Sequence, residues 1–159
     1  MARRGTKPKR ELPRAAARAT LSDAERRLLA LARKIGAVVP DTEGPAGLSA
    51  ALRTLTAEYS AEAALPRAMC GAWLGSRKAK TAALALAWAR EQVRLALRDV
   101  LDRARAREVP AVDADTLAWL LLAACEALAY EPASAVADRV RVLFEITGAG
   151  APAPPSASV

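Results

Sequence analysis

The segment "DADTLAWLLLAACEAL", residues 113 to 128, constrains the fold more than any other part of this chain. Asp113 stands where a helix cap is needed, and the run from Thr116 to Cys125 carries no charge. Apolar side chains fall on almost every face of the helix this segment predicts. A helix on the surface of a monomer needs only one apolar stripe, so one that is apolar all round has to be covered on more than one side. A bilayer cannot supply that cover, because the uncharged run spans only ~15 Å at the helical rise and a hydrocarbon core is ~30 Å thick. Other protein must supply it.

The rest of the composition agrees with a helical answer. The chain has 159 residues, of which 53% are hydrophobic, 26% charged and only 4% aromatic, enough for one domain with a core of its own. Alanine and leucine dominate while glycine and proline punctuate, which favours helices over sheet. An all-α fold is expected, a bundle of about five to six helices. No apolar leader segment follows the first basic residues and no run reaches 18 apolar residues, so a cytoplasmic protein without a membrane span is expected.

Charge is concentrated at one end. Residues 1 to 20 hold Arg3, Arg4, Lys7, Lys9, Arg10, Arg14 and Arg18 against the single acid Glu11, while the net charge of the whole chain is +7. With two prolines and a glycine among its first 14 residues, this stretch predicts a disordered basic arm that can touch phosphates non-specifically through Arg3, Arg4, Lys7, Lys9, Arg10 and Arg14. A solvated tail is the plainer alternative. Residues 149 to 159, rich in Pro, Ala and Ser, predict a second disordered tail. The helical domain is expected over 21–148.

Between the tails, caps and breakers divide the chain. Ser22 with Glu25 forms a capping box for a helix whose Leu28, Leu31, Ala32 and Ile35 share a face and which Gly36 ends. Residues 38 to 47, "VVPDTEGPAG", predict a linker, and Ser49 is the expected cap of a helix reaching about Ala64. Pro66 opens a short helix, "PRAMCGAWL", with Met69, Trp73 and Cys70 turned inward. From Arg77 to Arg107 there is neither Gly nor Pro, and Leu86, Ala89, Val93, Leu97, Val100 and Ala104 make one stripe of a single long helix. Its opposite face mixes Arg90, Glu91, Arg94, Arg98, Asp99, Asp102, Arg103 and Arg105, a salt-bridged solvated surface rather than a nucleic-acid face. The last helix, 135 to 148, ends at Gly148.

Catalytic constellations are not found. With no histidine, the chain lacks the commonest general base and metal ligand. Zinc-type spacings, phosphate loops, dinucleotide fingerprints and nucleophile elbows are missing as well. Cys70 and Cys125 predict buried, reduced thiols rather than a disulfide. Glu126 interrupts an apolar face, where it either pairs with an arginine such as Arg139, meets a cationic ligand or sits at a solvated edge. Neither an enzyme nor a cofactor or metal site is expected.

The segment "REVPAVDADTLAWLLLAACEALAYEP" followed by "AVADRVRVLFEITG" resembles the C-terminal regulatory domain of TetR/AcrR-type transcriptional regulators. The resemblance is clearest over 77–148 and extends back to 48, about two thirds of the chain. It implies a domain that binds a small, often apolar ligand between its helices and pairs its last two helices with those of a second copy. No recognisable helix-turn-helix accompanies it: "AGLSAALRTL" echoes that module's turn, but the Pro/Gly-rich stretch before it cannot supply the preceding helix.

Two readings follow. In the first, a TetR-like regulator domain binds an apolar ligand among Tyr59, Met69, Trp73, Leu86 and Trp88, and dimerises through Trp119, Leu122, Ala123, Val136, Val140, Leu143 and Phe144. Leu117, Leu120, Leu121, Ala124 and Leu128 then form the stripe that packs on the subunit's own long helix. In the second, an all-α interaction module without a small ligand uses its basic arm to contact nucleic acid or an acidic partner. A pocket between the middle helices separates the two.

Overall fold

Local chemistry sets where each helix begins and ends. The computed structural model describes residues 21–37, 44–104 and 112–150, and these contain six α-helices and no strand. They are α1 (Asp23–Ala37), α2 (Pro45–Glu58), α3 (Ala64–Ser76), α4 (Lys80–Ala104), α5 (Ala114–Leu128) and α6 (Ala133–Thr147). The basic arm with Arg3, Arg4, Lys7, Lys9, Arg10 and Arg14 lies outside the described residues, as does the tail from residue 151. No helix among the described residues is long and apolar enough to cross a membrane.

The capping box of α1 forms as its sequence requires. The Glu25 backbone N–H donates to Ser22 Oγ and the Ser22 backbone N–H to Glu25 Oε2, both at 3.3 Å. At α5, Asp113 accepts from the Thr116 N–H at 2.8 Å and from the Thr116 hydroxyl at 2.7 Å. Gly148 closes α6 at φ 71°, and the bonds Gly148 N–H to Glu145 O and Ala149 N–H to Phe144 O complete a Schellman turn. Only a residue without Cβ takes that backbone angle readily.

The start of α2 differs from the sequence expectation. It begins at Pro45, inside the expected linker, because Gly44 turns the chain at φ 79° and proline at the first helical position loses no hydrogen bond. Ser49 is therefore no cap. It lies buried within the helix, its Oγ accepting from Arg53 Nη2 at 2.7 Å. The helix ends at Glu58 rather than Ala64.

α4 organises the rest. Its most extensive contact is with α1 and its next with α5, and α2 and α3 also rest on it. Leu86, Ala89, Val93, Leu97, Val100 and Leu101 are its buried stripe, and Leu28, Leu31 and Ile35 of α1 belong to the same core cluster. Arginines on the neighbouring face reach α5: Arg94 pairs with both Glu91 and Asp115, and Arg98 lies 3.9 Å from Asp115.

The rotation of α5 turns out differently from the expected stripe. Leu117, Ala118, Leu121, Leu122, Cys125 and Leu128 are buried, because α4 and α2 both cover that side. Leu120 is exposed instead. Three residues expected at a dimer face are consequently taken by the subunit's own core: Leu122 and Phe144 are fully buried and Leu143 nearly so. Trp119 remains half exposed, while Ala123, Val136 and Val140 are partly covered. The helix that is apolar all round is thus covered on one broad side by its own chain. Its remaining surface presents Trp119 and Leu120, with Val142 and Ile146 exposed on α6.

Candidate ligand cleft

The sequence of α3 places Pro66, Met69, Cys70, Trp73 and Ser76 three to four residues apart, on one helix face. Across from them α4 offers Ala83, Leu86, Ala87 and Arg90. A leucine at 83 or 87 would fill the space between the helices, but alanine does not reach. The result is an open cleft of about 660 Å³, bounded by these residues, by Tyr59 after α2, and by Glu126 and Tyr130 from the α5 side. That is the size range of small-molecule sites.

Four of the five residues expected to line a pocket do so: Tyr59 and Leu86, both buried, with Met69 half-buried and Trp73 at the rim. Trp73 is 60% exposed rather than turned inward, and Arg77 lies over its ring at 5.7 Å from the centroid. Trp88 is not part of the cleft. Two residues from both Leu86 and Arg90, it points about 200° away from each, to the outer side of α4. Cys70 is exposed in the cleft wall, correcting the expectation that both thiols are buried. Cys125 is buried, and loss of solvation pushes its thiol up to about 12.

The cleft has one polar end. Arg90 Nε donates to Glu126 Oε1 at 2.7 Å and Nη2 to Oε2 at 2.8 Å, a two-pronged pair with both side chains less than one third exposed. The carboxylate raises the arginine's pKa, chiefly through these hydrogen bonds. Glu126 therefore neither pairs with Arg139, which sits 3.9 Å from Glu131, nor lies free at an edge. Beside the pair, the Tyr59 hydroxyl is buried and makes no hydrogen bond. Burial above all, and next the negative charge of Glu126, keep its phenol protonated far above the ordinary tyrosine range. The Glu126 carboxylate lies near enough to act on it.

Sequence reasoning missed Arg90, Glu126 and Tyr130 as cleft residues. By sequence Arg90 reads as part of the solvated face of α4, and the signal that points elsewhere is Glu126, the one acid of α5 beyond its first turn. Among the described residues no cluster of three or more Cys, Asp or Glu side chains is disposed to hold a metal ion. A smaller groove of about 290 Å³ runs between α5 and α6, lined by Ala124, Leu128, Arg139 and Val142 among others. Comparison with protein-family models, with curated proteins and with solved structures gives no match to this chain.

Proposed function

We propose that this chain is a ligand-binding regulatory domain of TetR type, taking a small, mainly apolar molecule into the cleft between α3, α4 and α5. The observation that supports the reading is the cleft itself: alanines on α4 leave room beside aromatic and thioether side chains, and the charges at its end neutralise each other. An apolar guest there buries Trp73, Met69 and Leu86 further, at ~25 cal/mol for each Å² removed from water. The same reading has a second copy cover Trp119, Leu120, Val142 and Ile146, the exposed apolar side chains of α5 and α6.

Cys70 supplies the experiment. At neutral pH a thiol reagent reaches Cys70 and not the buried, protonated Cys125. A panel of apolar and aromatic compounds should contain members that slow Cys70 labelling and raise the melting temperature together. If no compound moves either quantity, the ligand-binding reading is wrong. Separately, sedimentation of the Ile146→Asp variant tests the paired face: the reading expects a dimer to become a monomer, and a wild-type chain that is monomeric at micromolar concentration sinks that part.

A further inference from the structure

We propose that the outer face of the α3–α4 hairpin docks on a phospholipid bilayer surface rich in anionic headgroups. Its leucines and Trp88 sit in the interface and its cations among the headgroups, without spanning the bilayer. The surface lies beside the cleft and does not depend on the cleft being a ligand site.

Between Leu65 and Leu86 no side chain is buried. The stretch holds most of α3, the turn at residues 77–79 and the start of α4, and the two helices rest on one another. Such a hairpin stands out from the core, yet its sequence is not that of a purely solvated element. Leu74, Leu84 and Trp88 are each more than half exposed, and large apolar side chains grouped on one surface element mark a contact site. Helix geometry turns them away from the core. Leu74 lies roughly 180° round α3 from the buried Leu65, and Leu84 roughly 160° round α4 from the buried Leu86, with Trp88 one turn further along.

Charge selects the partner. Between Glu62 and Glu91 the chain holds no acid, while Arg67, Arg77, Lys78 and Lys80 are all exposed. None of these four cations has an ion-pair partner among the described residues, and Arg77 instead lies over the Trp73 ring. Arg90, by contrast, is neutralised by Glu126, and Glu91 is held by Arg94. Arg67 stands seven residues before Leu74 and Lys80 four before Leu84, so each helix carries a cation and a leucine on the same outer line. A surface of one sign repels a second copy of itself and attracts an anionic partner. Nucleic acid would engage the cations and a flat ring, but leucines gain little along a phosphate backbone. At a membrane interface every one of these side chains gains. Leu and Trp settle ~5–10 Å into the boundary of headgroups and acyl chains, and Lys and Arg stems reach back to the headgroups.

Vesicle co-sedimentation of the full chain tests the surface, with equimolar phosphatidylserine and phosphatidylcholine against phosphatidylcholine alone. The chain should bind the mixed vesicles and leave the neutral ones largely unbound. Because the basic residues near the N-terminus also favour anionic vesicles, the hairpin's share is read from its own variants. Lys78→Gln with Lys80→Gln should weaken binding roughly 10–30-fold, the effect of two cations near such a surface. Leu84→Ser should weaken it several-fold at unchanged charge. All three positions are exposed, so the melting temperature should stay near that of the wild type. With bromine on the lipid acyl chains, tryptophan fluorescence should be quenched on binding. Trp88→Phe should remove much of that quenching, and Trp119→Phe on α5 should leave it in place.

A chain that binds neither kind of vesicle overturns the proposal. So does binding that the lysine pair and Leu84→Ser leave unchanged, which would assign it to the N-terminal residues. Quenching that survives Trp88→Phe, or that vanishes in Trp119→Phe, overturns it as well, because another face then meets the lipid. If the lysine pair instead abolishes binding to duplex DNA while vesicles are ignored, the hairpin is a nucleic-acid surface and the lipid assignment is wrong.

Discussion

α4 passes through two environments, and the contrast between them organises the molecule. Over its C-terminal two thirds, Val93, Leu97, Val100 and Leu101 are fully buried against α1, α2 and α5. Over its first third, Ala83, Leu84, Ala87 and Trp88 are exposed, and the helix opposite, α3, buries only Leu65 completely. Gly71 and Gly75 lie within α3, where each costs ~1 kcal/mol relative to alanine. One part of the chain is filled with branched side chains, and the other is built from small or protruding ones. Stability in proteins is uneven in this way, and binding sites are drawn from the weaker end.

The largest test of the contrast is truncation in each region. Leu97→Ala should lose ~2–5 kcal/mol in urea unfolding, through lost transfer energy and the cavity left behind. Trp73→Ala should stay within ~0.5 kcal/mol, as an exposed residue away from the core does. Equal losses at the two positions would break the comparison.

Alkaline pH acts next, and on the filled side. The Cys125 thiol is held up to about 12 by burial, above the ~8.5 of an unfolded thiol. The unfolded chain therefore releases its proton first, so the contribution is fully present below pH ~8.5 and is lost as pH rises toward 12. About 1–2 kcal/mol should be gone by pH 10. A Cys125→Ala variant, less stable at neutral pH, should show a flatter decline between pH 8.5 and 10 than the wild type. An unchanged slope would mean that the thiol is hydrated in solution.

At the border of the two regions, Arg90 and Glu126 join α4 to α5 across the end of the cleft. A double-mutant cycle with Arg90→Ala and Glu126→Ala should give a coupling of about 1–2 kcal/mol, reduced from that of a fully buried pair by partial solvent screening. A coupling near zero would move the pair to the ordinary surface class.

The smallest effect is a gain. A Cβ added at Gly71 meets nothing within 4 Å, and its backbone angle is not among the positive ones. Gly71→Ala should stabilise α3 by ~0.5–1 kcal/mol, read as a shift of the urea midpoint without a change in slope. A loss would show that α3 needs that glycine for close approach to something it meets in solution.

Much of this architecture is legible in the residues because it is set locally. Ser22 with Glu25, Asp113 with Thr116, and Gly148 each act within one turn of chain, and the stripe from Leu86 to Val100 repeats at helical spacing. What the sequence conceals is which of several apolar stripes meets a neighbour. Leu120 and Leu122 are the same residue type two positions apart in α5, and it is the packing of α5 on α4 and α2 that makes Leu122 the buried one. Trp73 and Trp88 likewise look like core by type. Both stand at the surface because α3 has few large partners, and because Trp88 lies on the side of α4 away from Leu86 and Arg90. The cleft was half legible: Tyr59, Met69, Trp73 and Leu86 were expected there and Pro66, Ala83 and Ala87 were not, while its charged pair required knowing that α4 and α5 lie side by side.

Native-state hydrogen exchange with and without a saturating apolar compound that slows Cys70 labelling tests most directly the claim that the loosely packed α3 side is the ligand-binding side. Without ligand, amides of 65–76 should exchange faster than those of α1 and of residues 93–101, and ligand should slow the α3 amides while leaving α1 unchanged. An α3 protected as strongly as α1 from the start, with no change on adding the compound, would contradict the account.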